Sequence, residues 1–320
     1  MADVLDLALP FFGLILLGVL AARVRPIPRE GLAWMNTFIV YVALPALFFQ
    51  LLSRTPVEQL ASFGFIFATT LGTYLIFVLS FTIGMAGERS VPIATIRGFA
   101  GAYGNIGYMG PGLAIAAFGE EAVVPVALVF CFDNTMHFVL APLLMALSGQ
   151  SDGGSKLELV SKIGRKVLTH PFIMATIAGV GAAVFEVNVP SVANRLLTFL
   201  SGAAAPCALF AMGVTVALAP KLKVPAVAWP LTFTKLAIHP LLIWLLLGWI
   251  GEFERVWVFS AVLLAALPSA TNVFVIAQQY DVWVEEASSM VVVTTVFSIV
   301  TVTGLLYAIT TGWLPADPFP

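Results

Sequence analysis

Two stretches of the sequence combine glycine, proline and asparagine in the middle of long apolar runs. Five glycines and one proline occur between Gly101 and Gly112, and the second stretch, 267–272, reads Leu-Pro-Ser-Ala-Thr-Asn. Proline and glycine disfavour a continuous helix. Each stretch therefore predicts a helix break, at which backbone amides and carbonyls become available to a partner or a ligand.

The chemistry expected at two such breaks is the binding of a small anion. The N-termini of half-helices carry partial positive charge and free N–H groups. The side chains of Asn105, Ser269, Thr271 and Asn272 add neutral hydrogen-bond donors. Close helix packing is the alternative explanation for a glycine-rich membrane helix. Because two breaks occur, each with asparagine and proline, we favour a binding site between them.

A further apolar run contains the ionisable residues Asp133 and His137, with Asn134 beside them. Asp133 and His137 are four residues apart and share one helix face. Ionisable groups at membrane depth are costly, and protonation of either could couple transport to a proton. An internal ion pair with a structural role is the alternative. Lys235 and His239 also lie four apart, and there we expect a structural role, with Lys235 reaching the membrane interface.

The composition determines what kind of protein must position these residues. The chain has 320 residues, of which 60% are hydrophobic and 10% charged, and its mean hydropathy is +1.01. This composition excludes a soluble domain. The net charge of −2 argues against a nucleic-acid partner. Both cysteines, Cys131 and Cys207, lie in apolar runs, so we expect neither a disulfide framework nor a bound metal or cofactor.

The apolar runs predict an all-α polytopic membrane protein, because a helix needs about 20 apolar residues to cross a bilayer. Ten such runs occur: 4–22, 32–52, 60–86, 93–118, 122–147, 168–186, 192–219, 226–250, 256–279 and 284–312. The two breaks fall in the fourth and the ninth run. Similar short stretches occur in the same order in both halves, which predicts two inverted five-helix repeats, 1–147 and 168–320, joined by a cytoplasmic linker, 148–167.

The distribution of basic residues predicts the orientation in the membrane. The loops of one side carry eleven lysine and arginine side chains, and those of the other side carry three. Basic loops stay in the cytoplasm. We therefore expect a multi-pass protein of the inner (plasma) membrane, surrounded by lipid, with both termini outside.

Three segments together resemble the auxin efflux carrier family. The segment 105–111 (Asn-Ile-Gly-Tyr-Met-Gly-Pro) resembles the crossover motif of that family's fourth helix, and 268–272 resembles the counterpart in the ninth helix. The segment 44–49 resembles the second helix. The resemblance covers essentially the whole chain, including the short linker of bacterial, malonate-transporter-like members. Gly112 and Leu113 follow Pro111 and make the first crossover looser than the motif.

The resemblance implies a homodimeric secondary carrier, not an enzyme, with crossover broken helices four and nine. It implies transport of small organic acid anions, such as malonate or auxin-like carboxylates, by alternating access. A sodium- or proton-coupled symporter or antiporter of the bile-acid symporter type remains the alternative. By position, the resemblance implies that Asn105, Pro111, Pro268 and Asn272 line the crossover. The full set of candidate substrate-site residues is Pro45, Asn105, Gly107, Tyr108, Gly110, Pro111, Pro268, Ser269, Thr271 and Asn272. The candidates for coupling to H⁺ or Na⁺ are Asp133, Asn134 and His137.

Overall fold

A computed structural model describes residues 2–25, 28–87, 89–148, 158, 160–161, 164–165, 168–218 and 223–319. Within these ranges the backbone alone is described at 2–8, 29, 60, 87, 134–136, 138 and 172. Most of the predicted linker 148–167 and the side chain of Asn134 thus lie outside the described part of the protein.

All regular elements of the described ranges are helices. They are α1 (Ala2–Val24), α2 (Arg29–Phe38), α3 (Leu44–Leu52), α4 (Val57–Leu60), α5 (Phe63–Gly87), α6 (Val91–Ala102), α7 (Gly110–Phe118), α8 (Val123–Leu147), α9 (Pro171–Val184), α10 (Ser191–Ala217), α11 (Ala228–Phe233), α12 (His239–Ile250), α13 (Arg255–Ala266), α14 (Thr271–Tyr280) and α15 (Val284–Thr310). A single 3₁₀ turn, Glu120–Ala122, precedes α8.

Several of these helices are long and apolar enough to cross a membrane. Among the described residues there are five: Glu30–Leu52, Val57–Ala86, Ser191–Ala217, Ala228–Ile250 and Val284–Thr310. Shorter apolar helices cover Leu9–Val24, Ile173–Val184 and Arg255–Ala266. This is the architecture of an all-helical protein that spans a membrane.

Helical structure stops at both stretches that combine glycine and proline. The first interruption separates α6 from α7, and the second, shorter one separates α13 from α14. Pro111 lies in the first turn of α7, where the missing N–H of proline costs nothing. Each interrupted helix therefore consists of two short half-helices.

Two other helices are locally widened. Residues Ile39–Ala43, between α2 and α3, and Thr234–Ile238, between α11 and α12, form π-helical turns. Each turn is followed closely by a proline, Pro45 or Pro240. Because proline cannot donate a hydrogen bond and its ring clashes with the carbonyl four residues earlier, the preceding turn adopts the wider spacing.

The apolar core divides at the helix breaks. One cluster of buried residues includes Leu113 of α7 and Leu263 of α13. A second cluster includes Phe99 of α6 and Val273 of α14. The half-helices of each interrupted helix thus belong to different clusters, and the breaks lie at the boundary between them.

Close packing of α1 on α10 depends on two glycines. A Cβ atom at Gly213 would lie 3.0 Å from the Cα atom of Gly18 and would clash with the carbonyl of Ile15. We expect Gly213→Ala to lower the free energy of unfolding by about 1–3 kcal/mol, because the two helices must move apart. The measurement is the thermal unfolding midpoint in detergent.

A glycine of the same helix provides the matched control. At Gly202 a Cβ atom would meet nothing within 4 Å. Gly202→Ala should leave the midpoint unchanged or raise it, since alanine favours a helix over glycine by up to about 1 kcal/mol. If Gly213→Ala and Gly202→Ala unfold at the same temperature, the contact between α1 and α10 tolerates an added methyl group.

Candidate functional site

The two helix breaks contact each other through their backbones. The amide of Asn105 donates a hydrogen bond to the carbonyl of Pro268 at 2.7 Å, and the amide of Ala270 donates to the carbonyl of Tyr103 at 2.8 Å. Broken helices in a membrane leave polar backbone groups that need partners. The breaks supply partners to each other, so each stabilises the irregular conformation of the other.

Gly104 and Ser269 lie opposite each other at the centre of this contact, as a single antiparallel bridge. A Cβ atom at Gly104 would be only 3.2 Å from the carbonyl oxygen of Leu264. The Ser269 hydroxyl donates to the carbonyl of Ala100 at 2.6 Å, and its amide donates to the Thr294 hydroxyl at 3.1 Å. Ser269 therefore ties the second break to α6 and α15.

A cavity of about 230 Å³ lies against the contacting breaks. Six residues singled out in the sequence line it: Asn105, Gly107, Tyr108, His137, Thr271 and Asn272. The breaks and α14 add Tyr103, Gly104, Ala270, Val275, Ile276, Gln279 and Tyr280, and other parts of the chain add Val40, Phe130, Ala141, Pro142 and His170. No Asp, Glu, Lys or Arg side chain belongs to the described lining.

The other predicted residues lie outside this lining. Gly110 packs on α13, where a Cβ atom would come within 2.6 Å of the Leu264 side chain. Pro111 is buried in the first turn of α7. Pro45 lies in the first turn of α3, just after the π-helical turn Ile39–Ala43. The carbonyl of Pro268 accepts the hydrogen bond from the amide of Asn105, and Ser269 forms the hydrogen bonds described above. Asp133 lines a separate, smaller cavity.

Neutral polar side chains surround the cavity next to the breaks. The Asn272 amide donates to the Tyr103 hydroxyl at 2.9 Å. The Asn105 amide contacts the sulfur of Met212 at 2.9 Å, a weak acceptor. The buried hydroxyl of Thr271 forms no hydrogen bond with any described residue. These groups can donate to an anion without a fixed positive charge, and the first turn of α14 adds backbone amides at the same place.

A chain of hydrogen bonds runs behind the crossing backbones. Lys235 Nζ donates to the carbonyl of Ala265 at 2.5 Å and lies 3.1 Å from His239 Nδ1. His239 Nε2 lies 3.2 Å from the Thr73 hydroxyl, which donates to the carboxylate of Asp133 at 2.9 Å. Because that hydroxyl has one proton, His239 Nε2 must donate and Nδ1 must accept from lysine. The chain thus runs from an ammonium to a carboxylate.

The expectation for Lys235 is wrong, and an ion pair between the side chains of Asp133 and His137, one of the two alternatives, is not what the structure shows. Lys235 does not reach the membrane interface, because its side chain is 0% exposed and finds its acceptors at the end of α13 and on His239. Asp133 and His137 do not pair through their side chains. His137 Nδ1 instead contacts the backbone carbonyl of Asp133 at 2.5 Å, while Thr73 binds the carboxylate.

The smaller cavity lies beside this hydrogen-bonded chain. It measures about 10 Å³ and is lined by Thr69, Thr73, Asp133 and His239, among others. Such a space accommodates about one water molecule. Within the described ranges, no cluster of three or more His, Cys, Asp or Glu side chains could hold a metal ion.

The structure adds residues that the sequence did not single out. Tyr103 contacts both Asn272 and His137, and Thr73 connects Asp133 to His239. Tyr103 lies inside the glycine-rich stretch, so the sequence could have indicated that it belongs to the site. Thr73 had no such signal, because it is one of several threonines in an apolar helix.

Comparisons with known proteins identify the family of the chain and several relatives. Residues 3–306 match the family model described as membrane transport protein. The chain is 54% identical, over 100% of both chains, to a Rhizobium meliloti protein provisionally named a malonate transporter. It is 26% identical to an uncharacterized transporter of Methanothermobacter thermautotrophicus, over 90% of this chain and 92% of the relative. It is 24% identical to the uncharacterized transporter YfdV of Escherichia coli K12, over 92% of this chain and 93% of the relative.

Proposed function

The chain belongs to the membrane transport protein family, that of the auxin efflux carriers, and on this premise we propose that it is a secondary carrier of small organic acid anions such as malonate. Its relatives bear the names of transporters rather than enzymes. The protein is therefore an integral membrane transport protein, and the proposal concerns its substrate, its topology and its mechanism.

The observation that carries the proposal is the cavity of about 230 Å³ at the contact between the breaks. Asn105 and Asn272 approach it from different breaks and offer amide donors. A carboxylate can only accept hydrogen bonds, so these donors suit it. Since no charged side chain belongs to the described lining, the anion is held without a fixed ion pair and can leave again.

We propose ten membrane spans in two inverted repeats, 1–147 and 168–320, which exchange access to the cavity between the two sides of the membrane. The matching break in each half supports this arrangement. The distribution of basic residues supports a cytoplasmic linker, 148–167, and termini on the outer side of the inner membrane. The family resemblance also supports a homodimeric carrier.

A cation-coupled carrier of the bile-acid symporter type is the second candidate. Asp133 favours it, because this carboxylate is 5% exposed and lines the small cavity beside the crossing breaks. Lys235 opposes Na⁺ at this position, because the lysine ammonium already supplies a positive charge to the carbonyl of Ala265. We therefore favour H⁺ over Na⁺ as the coupling ion.

Uptake into proteoliposomes tests the proposal. Purified protein should take up labelled malonate in a saturable manner, and an inward proton gradient should increase the rate. A sodium gradient of the same size should have no effect. Labelled indole acetate tests the auxin-like alternative in the same vesicles, and protein-free vesicles are the control. If no carboxylate shows saturable flux, the proposal is wrong, whereas flux that requires sodium supports the second candidate.

A further inference from the structure

The imidazole of His137 is held in a fixed orientation at the wall of the large cavity. Its Nδ1 atom lies 2.5 Å from the backbone carbonyl of Asp133. Its ring stacks on Tyr103, with the ring centroids 3.9 Å apart and an angle of 14° between the planes. A carbonyl only accepts, so Nδ1 carries the proton, and Nε2 is the nitrogen that can gain or lose one.

The Nε2 atom of His137 forms no hydrogen bond with any described residue, although the side chain is only 1% exposed. Buried polar atoms in native proteins are nearly always paired. This nitrogen belongs to a residue that lines the proposed substrate cavity, so the partner that it lacks among the described residues can be a substrate atom. A carboxylate oxygen can pair with Nε2 only when Nε2 carries a proton, because a carboxylate has no donor.

On the premise of the proposed carrier function, we propose that His137 binds one carboxylate of a short dicarboxylate through protonated Nε2, while the amides of the helix breaks bind the other. Each dicarboxylate then enters the site with one proton, which Nε2 takes from the solution on the side of binding. The proton returns to solution when the substrate leaves. A monocarboxylate has no second group for His137 and recruits no proton.

The surroundings of His137 make this protonation depend on the substrate. Asp133 lies on the same helix, and its carboxylate is bound by Thr73. Tyr103 faces the ring from the first break, and Lys235 and His239 interact with it electrostatically from the neighbouring helix. Burial is the main factor that opposes a positive charge on the imidazole, and the lysine ammonium adds to it; an anion in the cavity offsets both. Proton and dicarboxylate therefore bind together.

Two substitutions separate the roles of the ring nitrogens. Glutamine at position 137 can place its amide near the position of Nε2 and keeps a neutral donor there, but it cannot take up a proton. Asparagine can keep a donor to the Asp133 carbonyl and lacks any group at Nε2. We expect about 10- to 100-fold weaker malonate binding for His137→Asn, from the loss of one charge-assisted hydrogen bond. His137→Gln should lie between it and the unmodified protein.

The experiment is titration calorimetry of the purified full-length protein with malonate and with acetate, in buffers of different ionisation enthalpy. The unmodified protein should take up about one proton per malonate and none per acetate near neutral pH. Both His137 variants should lose the proton uptake, and their preference for malonate over acetate should fall. Asn194→Ala changes a residue outside the cavity lining, and its proton uptake should persist.

The outcomes distinguish this inference from the proposed function. Absence of binding of both carboxylates to the unmodified protein overturns the carrier proposal and this inference with it. Malonate binding without proton uptake overturns this inference alone, and so does proton uptake that persists in His137→Gln. Absence of proton uptake by the unmodified protein overturns the inference without any variant. If one His137 variant does not fold, which size-exclusion chromatography reveals, the other variant tests the same loss of proton uptake.

Discussion

Lys235→Met is expected to lower the free energy of unfolding by about 3–5 kcal/mol and to abolish transport. Lys235 is 0% exposed and starts the chain of hydrogen bonds that ends at Asp133. Without the ammonium, the carbonyl of Ala265 loses its donor and the buried carboxylate loses the compensating charge. The measurements are the unfolding midpoint in detergent and malonate uptake into vesicles.

A double substitution tests whether the lysine acts on the carboxylate. Asp133→Asn removes the negative charge and keeps an acceptor for Thr73. If the two charges depend on each other, the combination of Lys235→Met and Asp133→Asn is less destabilised than the sum of the single variants, by about 0.5–3 kcal/mol. Additive losses would show that the chain of hydrogen bonds transmits no interaction between them.

An exposed lysine serves as the matched control. Lys223 lies 3.3 Å from a carboxylate oxygen of Glu286 and 3.5 Å from one of Glu285. The hydrogen bond to Glu286 is the main reason why the pKa of Lys223 is raised. Water screens such a surface pair, so Lys223→Met should change stability little. A similar midpoint for the two lysine variants would contradict a special role for Lys235.

Much of the helical framework is predictable because hydropathy is a local property. The run 122–147 corresponds to α8 (Val123–Leu147), and 284–312 corresponds to α15 (Val284–Thr310). The breaks are predictable for a similar reason, since glycine and proline act on their own turn of helix. The π-helical turns before Pro45 and Pro240 were not predicted, because a proline in a membrane helix can also produce a simple kink.

The site was less predictable, because its contacts join residues far apart in sequence. The bond between Tyr103 and Asn272 forms only once the two breaks cross, and nothing local indicates it. The spacing of Asp133 and His137 correctly suggests one helix face, but it does not determine the side-chain rotamers. His137 turns to a backbone carbonyl and the carboxylate turns to α5. The direction of the two side chains therefore determines that they form separate contacts rather than an ion pair with each other.

Asn272→Asp is expected to reduce malonate uptake by about three orders of magnitude at a pH where the new carboxylate is ionised. The replacement has nearly the size of asparagine and puts an acceptor in place of the amide donor at the cavity wall. Two unit charges 4 Å apart repel each other by about 4 kcal/mol at an effective dielectric constant of about 20. A tenfold change corresponds to about 1.4 kcal/mol.

Removal of an amide without adding a charge should have a smaller effect. For Asn105→Ala and Asn272→Ala we expect the malonate concentration for half-maximal uptake to rise about 10- to 100-fold, because each loses one hydrogen bond to a charged group. Asn194→Ala is the control. Asn194 accepts hydrogen bonds from Gln50 and Arg54 and lies outside the cavity lining, so its half-maximal concentration should not change.

The order of these effects identifies the groups that bind the anion. If the amides at the crossing breaks bind the carboxylate, Asn272→Asp must impair uptake more than the two alanine variants at the breaks. Those variants must in turn impair uptake more than the control, Asn194→Ala. The order holds even if all variants lose some stability, because Asn272→Asp changes the volume least and the charge most. Uptake at the unmodified level by Asn272→Asp, Asn105→Ala and Asn272→Ala would place the anion elsewhere. The cavity at the breaks would then be a feature of the fold without a part in recognition.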